Sequence, residues 1–224
     1  MLVRHRQDLA GRVLELGVGA GRISGYLVEV AERFDGLDLS EAMVAECRRR
    51  YPKGAFATGD MRDLSRFADG TLDAVLAGNN VIDVFSDAER RATLREIRRV
   101  LTPAGLLVFS SHNRAYLPRV RPPTAVRRSD PLRLLYDALN VPLRVARHRR
   151  LRALELEAPE YAIVSDGSHG FTLVHYYIAP EAQIRQLEQE GFSVLGVIDL
   201  DDHPLGTGET APHCSELHYF ARPG

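Results

Sequence analysis

An α/β fold with a mostly parallel sheet follows from three features of this 224-residue chain. Short apolar runs stopped by glycine or polar residues alternate with stretches of helical spacing. A glycine-rich turn, Gly17-Val18-Gly19-Ala20-Gly21, follows the first of those runs. Acidic residues stand at or near the ends of the first three, at Glu15, Asp38 and Asp60. Such alternation builds βαβ units, whose crossovers are right-handed.

Residues 12–16 (RVLEL) read as a buried strand, and 21–32 carry helical spacing through Ile23, Leu27, Val28 and Ala31. A second strand covers 34–39. Ser40 then caps a helix that carries Glu41 in its first turn and reaches about Arg50. Residues 54–58 form a third strand ending at Gly59-Asp60, and 71–77 a fourth. The segment 87–101 is amphipathic, with Leu94, Ile97, Val100 and Leu101 on one face and arginines on the other. Thr102-Pro103-Ala104-Gly105 stops it before an apolar fifth strand at 106–111. Farther on, 171–178 reads as a strand, Pro180 opens a helix to Glu190, and Gly191 closes it. Residues 192–200 and 215–221 form a terminal strand pair, and no internal repeat is visible.

The alternation breaks near residue 113. Residues 113–152 hold eleven arginines, His148, five prolines and only two aspartates, Asp130 and Asp137, a formal charge of +9. The Pro-rich part, 118–123, reads as a loop, and 131–139 and 142–154 as short helices. The block 113–170 is too basic and too poor in apolar residues for a core of its own. It reads as a lid insertion folded over the sheet edge of a single domain spanning 1–224.

Hydrophobic residues make up 45% of the chain, enough for one sizeable core. The net charge of −1 gives the whole molecule no bias toward nucleic acid or anionic membrane. Cys47 and Cys214 make neither a disulfide framework nor a zinc-binding CxxC, which fits reduced thiols in a cytoplasmic protein. The first ten residues lack the apolar run of a signal peptide. No window approaches 18 uninterrupted apolar residues, so no membrane-spanning helix is expected.

A glycine-rich turn lets a ligand approach the backbone amides closely. Its glycines stand in a GxGxG spacing, whereas a dinucleotide fingerprint places its third glycine one residue later, where this chain has Arg22. The run ELGVGAG at 15–21, followed in order by Asp38, Gly59-Asp60-Met61 and Gly78-Asn79-Asn80, resembles the class I S-adenosylmethionine-dependent methyltransferase family. The resemblance covers 11–111 well and 171–221 loosely. Pro103-Ala104-Gly105 departs from the family's commoner Pro-Gly-Gly turn.

That resemblance implies a Rossmann-like, mostly parallel seven-stranded sheet with an antiparallel last strand and a basic insertion after the fifth. It implies S-adenosyl-L-methionine as cofactor. Gly17, Gly19 and Gly21 would approach its methionine part, with Glu15 ordering their loop. Asp38 would accept from both ribose hydroxyls. Leu39 and Met43 would flank the adenine, Asp60 would accept from its amino group, and Met61 would pack on the ring. Asn79, with Asn80, would lie near the cofactor's amino group, and Val81 would continue the wall.

The reaction so implied is in-line transfer of a methyl group from a sulfonium to oxygen or nitrogen of a small molecule, helped by a base where the acceptor holds a proton. His112, His169, His175 and His203 are the candidate bases. His112 leads because it follows the fifth strand, where an open α/β sheet forms its crevice, and His169 is next because it lies in the loop SDGSHG. Strand alternation puts His175 and Tyr177 on one face and Tyr176 on the other. Asp199, Asp201, Asp202 and His203 read as a solvated turn, and His213-Cys214 as no ligand pair, so no metal is assigned. The basic insertion suits an anionic acceptor, and Leu132, Leu134, Leu135, Leu139 and Leu143 among its arginines suit a helix at a membrane surface serving a lipid acceptor. No aromatic-interleaved RNA motif is present, so nucleic acid ranks below both. A nicotinamide-dependent oxidoreductase on a similar sheet is the competing class. Oligomeric state is not fixed by the sequence.

Overall fold

The computed structural model describes residues 2–120 and 131–224, with the side chains at 2, 4, 131–134, 137 and 169 outside the described set. Ten strands, β1 (Arg12–Leu16), β2 (Arg33–Asp38), β3 (Ala55–Thr58), β4 (Leu72–Ala77), β5 (Leu101–Asn113), β6 (Leu156–Glu157), β7 (Tyr161–Val164), β8 (His175–Ile178), β9 (Phe192–Ile198) and β10 (Glu216–Pro223), join in one sheet. Among the described residues five α-helices accompany them: α1 (Ser24–Val30), α2 (Glu41–Arg50), α3 (Asp87–Val100), α4 (Pro131–Leu151) and α5 (Pro180–Gln189).

Strands β3-β2-β1-β4-β5 pair in parallel, and β10 runs antiparallel to both β5 and β9. These seven strands are the mostly parallel sheet that the sequence predicts. Both faces are covered, which is why β1 is buried along its whole inner length rather than alternating with solvent. Leu14 and Leu16 pack in a cluster with Leu94, Ile97 and Val100 of α3 and Leu187 of α5. Val13 packs oppositely, with Leu27 of α1 and Val44 and Cys47 of α2.

The helix caps fall where local chemistry predicts. Ser40 Oγ accepts from the Met43 N–H, and Ser86 forms a reciprocal capping box with Glu89. Four boundaries differ from the sequence expectation. Helix α1 spans seven residues, because Gly21 (φ +79°) ends the cofactor-type turn first. Strand β5 begins at Leu101, so Thr102–Gly105 does not separate helix from strand. Leu72 pairs with Leu101 and Ala74 with Leu106, so these residues bulge out of the ladder instead. Strand β8 starts only at His175, because Phe171 takes a left-handed conformation (φ +63°). Residues 131–151 form one helix across Pro142, not two short ones. A proline inside a helix forfeits one hydrogen bond and does not always end it.

Within 113–170, Arg114–Arg119 is a short 3₁₀ turn, and half of the expected Pro-rich loop, 121–123, lies outside the described residues. Strands β6 and β7 extend the sheet through β8. His112 pairs with Glu216 of β10 and with Tyr177 of β8, so β8 lies on the β4 edge of β5, beyond the point where β4 stops opposite Phe109. The extension therefore rises over the carboxyl end of β4.

Candidate functional site

A cavity of about 300 Å³ sits at the carboxyl ends of β1, β2, β4 and β5. Open α/β sheets bind ligands there, beside the strand where the order reverses. One wall is Gly17, Asp38, Leu39 and Met61, the floor is Asn79, Asn80 and Val81, and the far wall holds His112, His175 and Ser168.

The glycine turn is held from both sides. Gly17 and Val18 donate to the Leu37 carbonyl at 2.8 and 3.2 Å. Gly17 (φ +68°), Gly19 (+51°) and Gly21 (+79°) all occupy the left-handed region. A Cβ on Gly21 would fall 2.6 Å from Tyr51, whereas one on Gly19 would meet nothing within 4 Å. Gly19 thus faces open space that a ligand can take. Behind the turn, Ser24 Oγ donates to Glu15 Oε2 at 2.6 Å, tying β1 to the first turn of α1. Burial pushes the Glu15 carboxyl up to about 7, against the opposing Ser24 hydrogen bond.

Asp38 receives the Gly19 N–H on Oδ2 and the Ser40 N–H on Oδ1, both at 2.8 Å. Each oxygen keeps further lone-pair capacity, because a carboxylate offers about four acceptor sites. Asn79 and Asn80 both take positive φ, +53° and +56°, which asparagine tolerates better than most side chains. The Asn80 N–H donates to Ser110 Oγ at 2.8 Å, and its side-chain amide donates to Glu216 Oε2 at 2.6 Å. Its Oδ1 is buried without a partner among the described residues. An unsatisfied buried acceptor on a cavity floor is what a ligand ammonium or amide would satisfy.

Five members of the expected cofactor set are outside the cavity lining: Glu15, Gly19 and Gly21 of the turn just described, and Asp60 and Met43. Arg62 donates from Nη2 to Asp60 Oδ2 at 2.6 Å and from Nε to both oxygens, and neither residue is part of the cavity lining. That Arg62 hydrogen bond holds the Asp60 carboxyl below its usual range. Met61 of the same triplet does line the cavity. Met43 is exposed in the first turn of α2 and is not part of the lining.

The far wall contains two carboxylate-backed imidazoles. His112 Nδ1 lies 2.8 Å from Asp83 Oδ2, which also accepts the His112 backbone N–H at 2.6 Å. Burial works to lower the His112 pKa, but the Asp83 hydrogen bond and charge together outweigh it and raise the value. His175 Nδ1 lies 3.1 Å from Asp166 Oδ1, and Tyr177 Oη donates to Asp166 Oδ2 at 2.7 Å. The His112 ring centroid is 5.2 Å from that of His175 and 4.7 Å from that of Tyr177. Tyr176 points oppositely, stacking on Tyr161 and donating to Asp87 Oδ1 at 2.6 Å, as strand alternation requires. His203 is exposed beside Asp199. The side chain of His169 lies outside the described residues, although its loop brings Ser168 to the cavity.

Sequence reasoning missed what holds His112. Asp83 and Arg90 form an ion pair with both side chains fully buried. Arg90 Nη2 donates to Ser111 Oγ at 3.0 Å and Nε to Gln186 Oε1 at 3.1 Å. Arg90 was expected on the solvent face of α3. Its spacing to Leu94 and Ile97, four and seven residues on, was the available sign that it faces the core. Asp166, nine residues before His175 and in the loop that precedes β8, had no such signal.

A family profile described as "Methyltransferase domain" matches residues 13–105. A probable S-adenosylmethionine-dependent methyltransferase of Mycolicibacterium smegmatis is 36% identical over 106 residues, covering 47% of this chain and 40% of that protein. A demethylmenaquinone methyltransferase of Beutenbergia cavernae is 40% identical over 99 residues, covering 44% of this chain and 40% of that protein. The chain thus aligns with well under half the length of these relatives. Among solved structures, an S-adenosylmethionine-dependent methyltransferase from Mesorhizobium loti superposes with a TM-score of 0.66 at 20% identity, over 99% of this chain and 95% of that one. Residues 13–105 are thus similar to the methyltransferase domain family, and the chain shares the fold of the solved Mesorhizobium loti methyltransferase.

Proposed function

We propose that this protein binds S-adenosyl-L-methionine and transfers its methyl group to oxygen or nitrogen of a small-molecule acceptor. The carrying observation is that one cavity joins the glycine turn and Asp38 to His112. Open space at Gly19, spare acceptor capacity on Asp38 and the orphaned Asn80 Oδ1 all fit that cofactor. Asp38 would receive the ribose hydroxyls, Leu39 and Met61 would hold the adenine, and Asn79 and Asn80 would meet the amino group. Asp60 would act through Arg62, fixing the turn that presents Met61. Met43 would stand at the outer rim.

When bound, the cofactor supplies a methyl group on a cationic sulfur, open to in-line displacement. The protein's part is to hold the acceptor close and collinear and to exclude water. His112 takes the acceptor's proton at Nε2, while Asp83 holds Nδ1 and offsets the imidazolium charge that forms. His175, backed by Asp166, contacts the acceptor from the adjoining strand, and His169 stands in the loop beside them. Residues 113–170 act as an insertion of the single domain, supplying Asp166 and Ser168 to the acceptor side. The arginines of that insertion favour an anionic acceptor. Two buried unpaired thiols, Cys47 and Cys214, suit the cytoplasm.

Arg22 in place of the dinucleotide glycine argues against the nicotinamide alternative. The test is incubation with methyl-labelled cofactor and pooled metabolites, followed by mass analysis of labelled products. Transfer by the wild type and loss of turnover in His112→Gln with retained cofactor binding are expected. A wild type that labels nothing yet binds NAD would overturn the reading.

A further inference from the structure

The outward face of α4 is apolar where a surface helix is ordinarily polar. Leu135, Leu139 and Leu143 recur every fourth residue and are 57%, 71% and 47% exposed, with Tyr136 beside them at 67%. At 1.5 Å per residue the stripe is about 12 Å long. Pro142 and Ala146 are also exposed along it. Past its end stand Arg149, Arg150 and Arg152, all exposed, and residues 131–154 carry six arginines against the single acid Asp137.

The other side of α4 is anchored. Arg147 Nη1 donates to the Gly170 carbonyl at 3.3 Å, and His148 meets Phe171 edge-on at 5.7 Å. These contacts join α4 to the loop that carries Ser168 into the cavity. A leucine stripe bounded by cations of one sign and fixed from behind matches a helix lying in the headgroup boundary of a bilayer. No helix of the described residues is long and apolar enough to cross a membrane, so α4 would lie on the surface.

We propose that the outward face of α4 docks on an anionic lipid bilayer and holds the mouth of the cavity at its surface. This surface is separate from the cofactor site, so it stands or falls independently of the proposed chemistry. The test is co-sedimentation of the full chain with phosphatidylcholine vesicles, with and without phosphatidylglycerol, at 0.1 M and 1 M salt, where the Debye length falls from about 10 to 3 Å. The wild type should pellet with the anionic vesicles at low salt and lose about tenfold or more in affinity at high salt or without phosphatidylglycerol. Leu139→Glu/Leu143→Glu and Arg149→Glu/Arg150→Glu should each lose a similar factor while keeping the wild-type melting temperature and S-adenosylhomocysteine affinity. Wild-type binding indifferent to lipid charge, or variants that pellet as well as the wild type, would overturn the proposal. So would a wild type that ignores vesicles but dimerises in sedimentation velocity through a face the leucine variant abolishes.

Discussion

Asp83 is the residue on which the far wall depends. It is fully buried, pairs with Arg90 and accepts from Ser111 and twice from His112. Burial alone would raise its carboxyl, yet Arg90 and His112 hold it below the usual range. Removing one partner of such a pair strands the other charge in the core. Asp83→Asn should therefore cost about 3–5 kcal/mol in denaturant unfolding, and a loss under about 1 kcal/mol would contradict the buried pairing. His112 gives a pH signature. Its folded pKa is raised, so its contribution to stability is complete below the unfolded value near 6.5 and is lost as pH rises through the folded one. Turnover runs the other way, because a base must be unprotonated, and kcat/KM should climb over that same interval. His112→Gln should flatten the stability difference there, and melting curves at pH 6 to 9 measure it.

At the scale of elements, the glycine turn separates folding from binding. Gly21→Ala meets Tyr51 and Cys47 and adopts a strained φ, so it should lower stability by more than the roughly 1–2 kcal/mol of the left-handed conformation alone. Gly19→Ala carries only that backbone cost but places a methyl in the open space, so it should weaken cofactor binding with the smaller loss of melting temperature. Equal melting temperatures for the two variants would contradict the packing seen here. This turn was legible in the sequence because its spacing, its strand and its following acidic residue are local. The start of β8 was not, because Phe171 breaks the strand by conformation rather than composition. Nor was the unity of α4, because the rule against interior proline is statistical and gives way where flanking turns still bond.

At the scale of the molecule, the seven-strand order and the two-sided core follow from βαβ alternation and fully apolar strands, both visible in the chain. The grouping of Gly17, Asp38, Leu39, Met61 and Asn79 around one cavity was readable for the same reason: each stands at or just past the carboxyl end of a strand. The histidine wall was not, since His112 and His175 meet only through the β5–β8 pairing, and Asp83 and Asp166 reach them from a 3₁₀ turn and from the end of β7. The central claim is that the strand-end wall around Asp38 binds an adenosyl sulfonium or its demethylated product. Calorimetric titration with S-adenosylhomocysteine tests this most directly. Saturable one-to-one binding is expected, weakened in Asp38→Ala by roughly 1–3 kcal/mol through loss of charge-assisted hydrogen bonds. A wild type that gives no saturable heat, or an Asp38→Ala protein that binds as tightly, would contradict it.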